Sequence, residues 1–170
     1  MQIPNDLNAY QVAPLTMVFL VDGDRILTLT RSEKKAVYPG KVSGFGGKVE
    51  PGENMEASAR REFLEEAGIT VETMEFRGTI IRILDSGHIN EMYIYVATGP
   101  HGKPWEACDE GTIAWRTVDD FLNHPDIVDH IPLYLKQVIE GTDFYCGVAA
   151  YEQHARVGVA DNKAFFDARR

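Results

Sequence analysis

Gly47 to Ile69 reads GKVEPGENMEASARREFLEEAGI, and the way this stretch folds constrains everything on either side of it. Ala59, Phe63 and Ala67 recur every four residues with Leu64 beside them, which predicts a helix from about Asn54 to Ala67. Gly68 then supplies a left-handed C-cap, with Ile69 placed for the accompanying apolar contact. On a projection of about 100° per residue, Glu62, Glu65 and Glu66 fall within one arc of roughly 100°. Ala59, Phe63, Leu64 and Ala67 take the other side, so one apolar face and one carboxylate face are expected. Hard cations such as Mg²⁺ bind oxygen ligands of this kind together with phosphates and water. Taken alone, a solvated acidic face explains the pattern as well, because like charges one turn apart cost only about 0.2–0.5 kcal/mol.

The residues upstream shift that balance. Gly44-Phe45-Gly46-Gly47 is dense enough in glycine for the backbone to approach a ligand closely, and Pro51-Gly52 carries the loop on to Glu53, a further carboxylate at the helix entrance. Before the loop, apolar runs at Leu15 to Val21 and Ile26 to Thr30 flank Asp22-Gly23-Asp24-Arg25, a hairpin signal. After the helix, Phe76 to Leu84, Glu91 to Ala97 and Thr112 to Arg116 read as strands. Val118 to Leu122 reads as a short helical turn and Asp129 to Glu140 as a longer helix. Phe144 to Ala150 and Arg156 to Val159 suggest a last strand pair, and Asp161 to Arg170 a loosely held tail.

Composition sets the outer limits. The 170 residues fit one domain over 1–170, with a core at about 13–141 and a C-terminal strand pair and tail at 142–170. A hydrophobic content of 44% supplies a packed core. The formal charge of -9 argues against stable nucleic-acid binding, which rests on clustered Lys and Arg. A phosphate ligand would need a bound cation to reverse the sign of an acidic pocket. Cys108 and Cys146 lack zinc or disulfide spacing and are expected to stay reduced. No segment reaches the ~20 apolar residues of a membrane span and the N-terminus carries no leader pattern, so a cytoplasmic protein without membrane contact is expected.

The stretch 47–69 matches G-x5-E-x7-R-E-U-x-E-E-x-G-U, U being a bulky apolar residue, at every specified position. With usages of roughly 7% per residue type, seven fixed residues at fixed spacing arise by chance about once in 10⁸ placements. This is the box of the Nudix hydrolases, and from about Leu15 to Glu140 the chain resembles that family as a whole; the one soft departure is Phe63 where an aliphatic residue is usual. The resemblance implies an α/β fold, the Nudix α/β/α sandwich with a mixed sheet and a loop-helix-loop catalytic motif. It also implies Mg²⁺, with Mn²⁺ able to substitute. Glu62, Glu65 and Glu66 correspond to the family's metal-binding carboxylates, with the carbonyl of Gly47 joining them. Arg61 corresponds to the arginine that orients those carboxylates, and Glu53 to the glutamate that shapes the loop. Glu66 or Glu65 is the expected general base, and Glu110 stands where MutT-like enzymes often place a further metal-binding glutamate.

Gly44-Phe45-Gly46-Gly47-Lys48-Val49 is particularly similar to the 8-oxo-dGTP diphosphatases. That likeness implies a nucleoside triphosphate pyrophosphohydrolase sanitising oxidised purine nucleotides, a monomer or homodimer whose partner is a small nucleotide. Ser43 and Asp126 fall at that subgroup's base-contacting places, and Arg31 and Lys48 are candidates to touch phosphates. Ser43 departs from an asparagine and offers fewer hydrogen bonds to a base edge. Other compounds remain open: a nucleotide sugar, a dinucleotide, the 5′ end of RNA, or a nucleotide-sensing role without turnover. Arg82 to His88 holds neither the proline nor the tyrosine that marks ADP-ribose or dinucleoside polyphosphate hydrolases.

Overall fold

A computed structural model describes residues 11–84, 86–152 and 155–161. Among these residues nine strands form a mixed sheet, in the order β6-β7-β2-β1-β5-β4-β8-β9, with β3 paired to β2. The strands are β1 (Val12–Asp22), β2 (Arg25–Arg31), β3 (Val42–Ser43), β4 (Thr70–Ile83), β5 (Ile89–His101), β6 (Ala107–Cys108), β7 (Gly111–Thr117), β8 (Tyr145–Glu152) and β9 (Ala155–Asp161). Parallel pairs join β1 to β5 and β4 to β8, and the other pairings are antiparallel. The hairpin expected at Asp22-Gly23-Asp24-Arg25 closes β1 onto β2 with Asp22 opposite Arg25, and Gly23 takes the left-handed φ of 64° that the turn requires.

Strand periodicity builds two cores. Along β1, Met17 and Phe19 point to one face of the sheet and Val18 and Leu20 to the other, and all four are buried. The first face is covered by α2 (Val118–Leu122) and α3 (Leu135–Glu140), through Phe121, Leu135 and Val138. The second is covered by α1 (Met55–Ala67), through Ala59, Phe63 and Ala67. Helices on both faces of a mixed sheet make the α/β/α sandwich that the sequence led us to expect.

Three expectations need correction. The helix foreseen over Asp129 to Glu140 is broken into a 3-10 turn at Ile131–Leu133 and α3 from Leu135, because Pro132 has no N–H for a helical ladder and Tyr134 adopts φ -130°. Several strands run longer than their apolar runs: β4 starts at Thr70 rather than Phe76, and β5 spans Ile89–His101. Backbone pairing with a long neighbour carries polar residues into a ladder that periodicity alone does not mark. Of the C-terminal tail, only Asp161 lies within the described residues, as the end of β9.

The third correction concerns α1. Leu64 is 46% exposed, whereas Ser58 and Glu66 are buried, Glu66 at 6%. Viewed down the axis, the buried arc runs from Ala67 through Phe63 and Glu66 to Ser58, so the helix leans its glutamate flank onto the preceding loop. Asn54 caps the first turn by accepting from the Ala57 N–H at 2.8 Å. Gly68 ends the helix at φ 73°, its N–H bonded to the Leu64 carbonyl. A Cβ at Gly68 would stand 2.2 Å from the Trp105 ring, so a close approach as well as backbone conformation demands glycine there.

Phe63 meets Phe45 edge to face at 5.2 Å between centroids and fastens α1 to the glycine loop. Phe63→Ala is expected to lower the unfolding free energy by about 3–5 kcal/mol in a urea titration. A loss below about 1 kcal/mol would mean that this contact does not hold the helix down.

Candidate functional site: a carboxylate cleft beside a glycine loop

The loop that carries Gly44-Phe45-Gly46-Gly47 hangs on β1 by backbone bonds. Val18 and Phe45 exchange N–H donations at 2.7 and 3.0 Å, and the Thr16 N–H donates to the Gly47 carbonyl at 2.9 Å. Space there is tight. A Cβ at Gly46 would fall 2.2 Å from the Thr16 carbonyl oxygen, and one at Gly47 would fall 2.6 Å from the Glu62 carboxylate. The glycines therefore let a helix carboxylate lie directly on the backbone. The Gly46 N–H donates to Glu66 Oε2 at 2.8 Å.

Arg61 organises the remaining acids. Its Nε and Nη2 grip both oxygens of Glu53 at 2.7 and 2.9 Å, and its Nη1 donates to Glu62 Oε1 at 2.9 Å and Glu65 Oε2 at 3.1 Å. Nη2 also reaches the Lys48 carbonyl at 3.3 Å. One guanidinium thus spans the loop end and the helix, a bidentate geometry that lysine could not supply. Hydrogen bonding from Arg61 draws the Glu53 carboxyl down to about 2, and the bond to Glu53 likewise raises the arginine.

Glu66 is held in the opposite sense. Burial pushes its carboxyl up to about 8; the Gly46 N–H and Arg31 oppose the rise, and the charges of Glu62 and Glu110 add to it. Glu62, Glu65, Glu66 and Glu110 share a cleft of about 440 Å³ with Trp105 and Cys108. Glu110 is tied by Lys35, and Arg31 Nη2 lies 3.9 Å from its other oxygen. The cleft therefore brings together the box glutamates and the later loop glutamate that sequence reasoning singled out.

Carboxylates gathered in one cleft make a donor set suited to a hard cation, since a positive charge among them would relieve their repulsion. Among the described residues, however, no three His, Cys, Asp or Glu side chains converge closely enough to hold an ion. Arg61 and the Gly46 N–H occupy oxygens that a cation would need.

Of the other expected contacts, Arg31 and Ser43 line a second pocket with Gly46, Gly47, Tyr38 and Arg82, which opens beside the carboxylate cleft. Ser43 is buried, and Arg31 Nε donates to the Val37 carbonyl at 3.0 Å. Lys48 and Asp126 are placed elsewhere: the Lys48 side chain is exposed, and Asp126 pairs with Lys41 at 2.9 Å on the surface. Asp126 contributes its backbone carbonyl, which accepts from the Val42 N–H and positions β3. Tyr38, Arg82 and His130 in this pocket escaped the sequence reading. Arg82 had a signal, since it shares the inward parity of Ile80 in a strand already recognised. Tyr38, at a left-handed φ of 53°, had none.

The NUDIX domain family model matches residues 12–137. The chain is 38% identical to the oxidized purine nucleoside triphosphate hydrolase of Danio rerio over 62% of its own length and 66% of that protein. It is 34% identical to the Mus musculus protein of the same name over 61% of this chain and 65% of that one. The chain thus spans slightly less than two thirds of each relative. Among solved structures, a MutT protein from Bacillus halodurans superposes with a TM-score of 0.80 at 24% identity, covering 89% of this chain and 98% of that one. A MutT NUDIX hydrolase from Burkholderia pseudomallei gives 0.66 at 29% identity, covering 75% and 98%. No helix among the described residues is long and apolar enough to cross a membrane.

The Glu53 pair predicts an acid-dependent contribution to stability. A carboxyl whose folded pKa is depressed contributes above its unfolded value, and the contribution is lost as pH falls toward the folded one. Glu53→Gln should therefore be less stable than the parent at neutral pH, with the gap closing below about pH 4. An equal gap in denaturant titrations at both ends of that range contradicts the pairing.

Proposed function

The chain belongs to the Nudix family, and from that premise we propose that it is a Mg²⁺-dependent nucleoside triphosphate pyrophosphohydrolase acting on purine nucleotides, oxidised ones included. The observation that carries the proposal is the buried Glu66, seated on the Gly46 N–H in one cleft with Glu62, Glu65 and Glu110 and next to a second pocket deep enough to reach the sheet. The relatives named for oxidised purine triphosphates support the substrate class.

In this reading Glu62, Glu65, Glu66 and Glu110, with the free lone pair of the Gly47 carbonyl, are the donors that would hold the cation. When bound, the ion supplies charge neutralisation on phosphate oxygens and a more acidic water. The chain's own residues do the rest. Arg61 positions Glu62 and Glu65 and holds Glu53 to the loop. Arg31 lies between the cleft and the second pocket, where phosphates would pass. Ser43 faces the pocket that takes the nucleoside.

Water adds to the β-phosphorus, the bond from that phosphorus to the α–β bridging oxygen breaks, and nucleoside monophosphate and pyrophosphate separate. Glu66 takes the water's proton. Its Oε2 is held by Gly46, which leaves Oε1 for the water. Burial keeps this carboxyl basic, which suits a general base.

Glu66→Gln is expected to lower pyrophosphate release from a purine triphosphate with Mg²⁺ by about 10²-fold or more while nucleotide binding persists. A variant that keeps more than about a tenth of parental turnover removes Glu66 from that role. A substrate panel in which only nucleotide sugars or dinucleotides react overturns the triphosphate assignment.

A further inference from the structure

Tyr38 lines the pocket beside Gly46 and Gly47 and is half-buried there. Among the described residues it is also the one non-glycine with a left-handed backbone, at φ 53°. A residue with a Cβ keeps that conformation only where its surroundings over-determine it. Two bonds hold the Tyr38 hydroxyl: it accepts from Arg82 Nη2 at 3.1 Å and donates to Asp129 Oδ1 at 3.1 Å.

Both of those partners rest on the C-terminal strand pair. Tyr151 on β8 and Arg156 on β9 stand opposite each other in the ladder, just past a register shift between Ala150 and Tyr151, the kind of irregularity that re-aims side chains. Arg156 Nη1 donates to the Asp129 carbonyl at 2.5 Å, and the Tyr151 hydroxyl donates, at 3.4 Å, to the same Asp129 oxygen that takes Tyr38. The Arg82 guanidinium lies over the Tyr151 ring at 5.5 Å from its centroid and over the Tyr38 ring at 5.6 Å. Tyr38 also borders a second hollow of about 440 Å³, with Lys41, Asp129 and Arg156, so space into which it could turn lies beside it. Tyr151 and Arg156 fall beyond the residues 12–137 that the family model matches.

We propose that Arg156 and Tyr151 are positioning residues for nucleotide binding: the C-terminal strand pair holds Asp129, Asp129 holds Tyr38 in its left-handed geometry, and the pocket wall is in place only while these contacts are closed. This rests on the reading of that pocket as the nucleoside's. Neither Arg156 nor Tyr151 lines the pocket or the carboxylate cleft, so their effect on a ligand passes through Asp129 and Tyr38 and leaves the glutamates as they are. Apparent affinity falls with the fraction of molecules whose wall is in place, whereas a molecule that has bound turns over at the parental rate.

The test compares the full chain with its variants, each checked for folding by circular dichroism. Calorimetric titration with dGMP and 8-oxo-dGMP reads the pocket without turnover, and steady-state pyrophosphate release from dGTP and 8-oxo-dGTP with Mg²⁺ reads KM and kcat. For a ligand that the parent binds, Arg156→Ala should weaken binding and raise KM about tenfold with kcat within about twofold. Arg156→Lys, which can still donate to the Asp129 carbonyl, should recover most of the loss. In Tyr38→Phe, which lacks the hydroxyl that Arg82 and Asp129 hold, adding Arg156→Ala should weaken binding by less than about threefold more, because both changes act on one connection. Affinity within about twofold of the parent in Arg156→Ala, a loss confined to kcat, no recovery with lysine, or independent losses in the double variant overturns the proposal. If Arg156→Ala does not fold, Tyr151→Phe takes its place, with about a threefold loss of affinity expected and an unchanged affinity overturning the proposal. A chain that binds the monophosphates yet releases no pyrophosphate loses the hydrolase reading, and its dissociation constants still decide this one. A hydrolase whose affinity ignores Arg156 loses only this one, and a parent chain that takes none of the four nucleotides loses both.

Discussion

The site depends on the Arg61 guanidinium, which holds Glu53, Glu62 and Glu65 in one hydrogen-bonded group. Exposed ion pairs on a helix are worth a few tenths of a kcal/mol and seldom organise anything. This one differs because both ends of a loop converge on it: Glu53 closes the segment that leaves Gly47, and Glu62 lies against the Gly47 backbone. Removing the arginine would leave several acids close together in a partly buried cleft, where unpaired charge is far costlier than on an open surface. Arg61 occupies oxygens that a cation would need, so the arginine keeps these acids gathered by itself.

The rest of the fold brings a backbone edge to that group. β1 lies at the centre of the sheet, parallel to β5, and feeds alternate residues into both cores. The glycine loop docks on β1 through Thr16 and Val18, which sets the Gly46 N–H against Glu66 of α1. Phe45 and Phe63 pack in the core behind, and Gly46 and Gly47 meet the carboxylates in front. Because α1 leans on this loop, Glu66 is buried rather than solvated, and burial raises the pKa of its carboxyl. A change in Phe63 packing therefore reaches the Glu66 carboxyl as well as the core.

Much of this was legible in the sequence because it is encoded by spacing. Gly68 and the Asp22-Gly23 turn each answer to a local rule, and the structure shows both as expected. What escaped notice depends on contacts far apart in the chain. A helical projection ranks residues by apolarity, so it placed Leu64 inside and Glu66 outside; packing against the loop reverses both. Asp126 looked like a base contact by position, but Lys41 holds its side chain at the surface. Arg82 and Tyr38 meet only because β4 and the loop before β3 are folded together; strand parity marks Arg82 as inward but does not name its partner. Pro132 was visible, and its effect on the helix after Asp129 could have been foreseen.

Whether these glutamates gather a divalent ion decides the function of the cleft. Titration of the protein into Mn²⁺, followed by electron paramagnetic resonance, measures that directly, because bound Mn²⁺ loses the sharp six-line signal of the free ion. A carboxylate-held ion gives saturable loss of that signal, its recovery on adding Mg²⁺, and a marked weakening of binding when Glu62 and Glu66 are both replaced by glutamine. A free-ion signal that persists with protein in large excess, or binding indifferent to those two replacements, would contradict it.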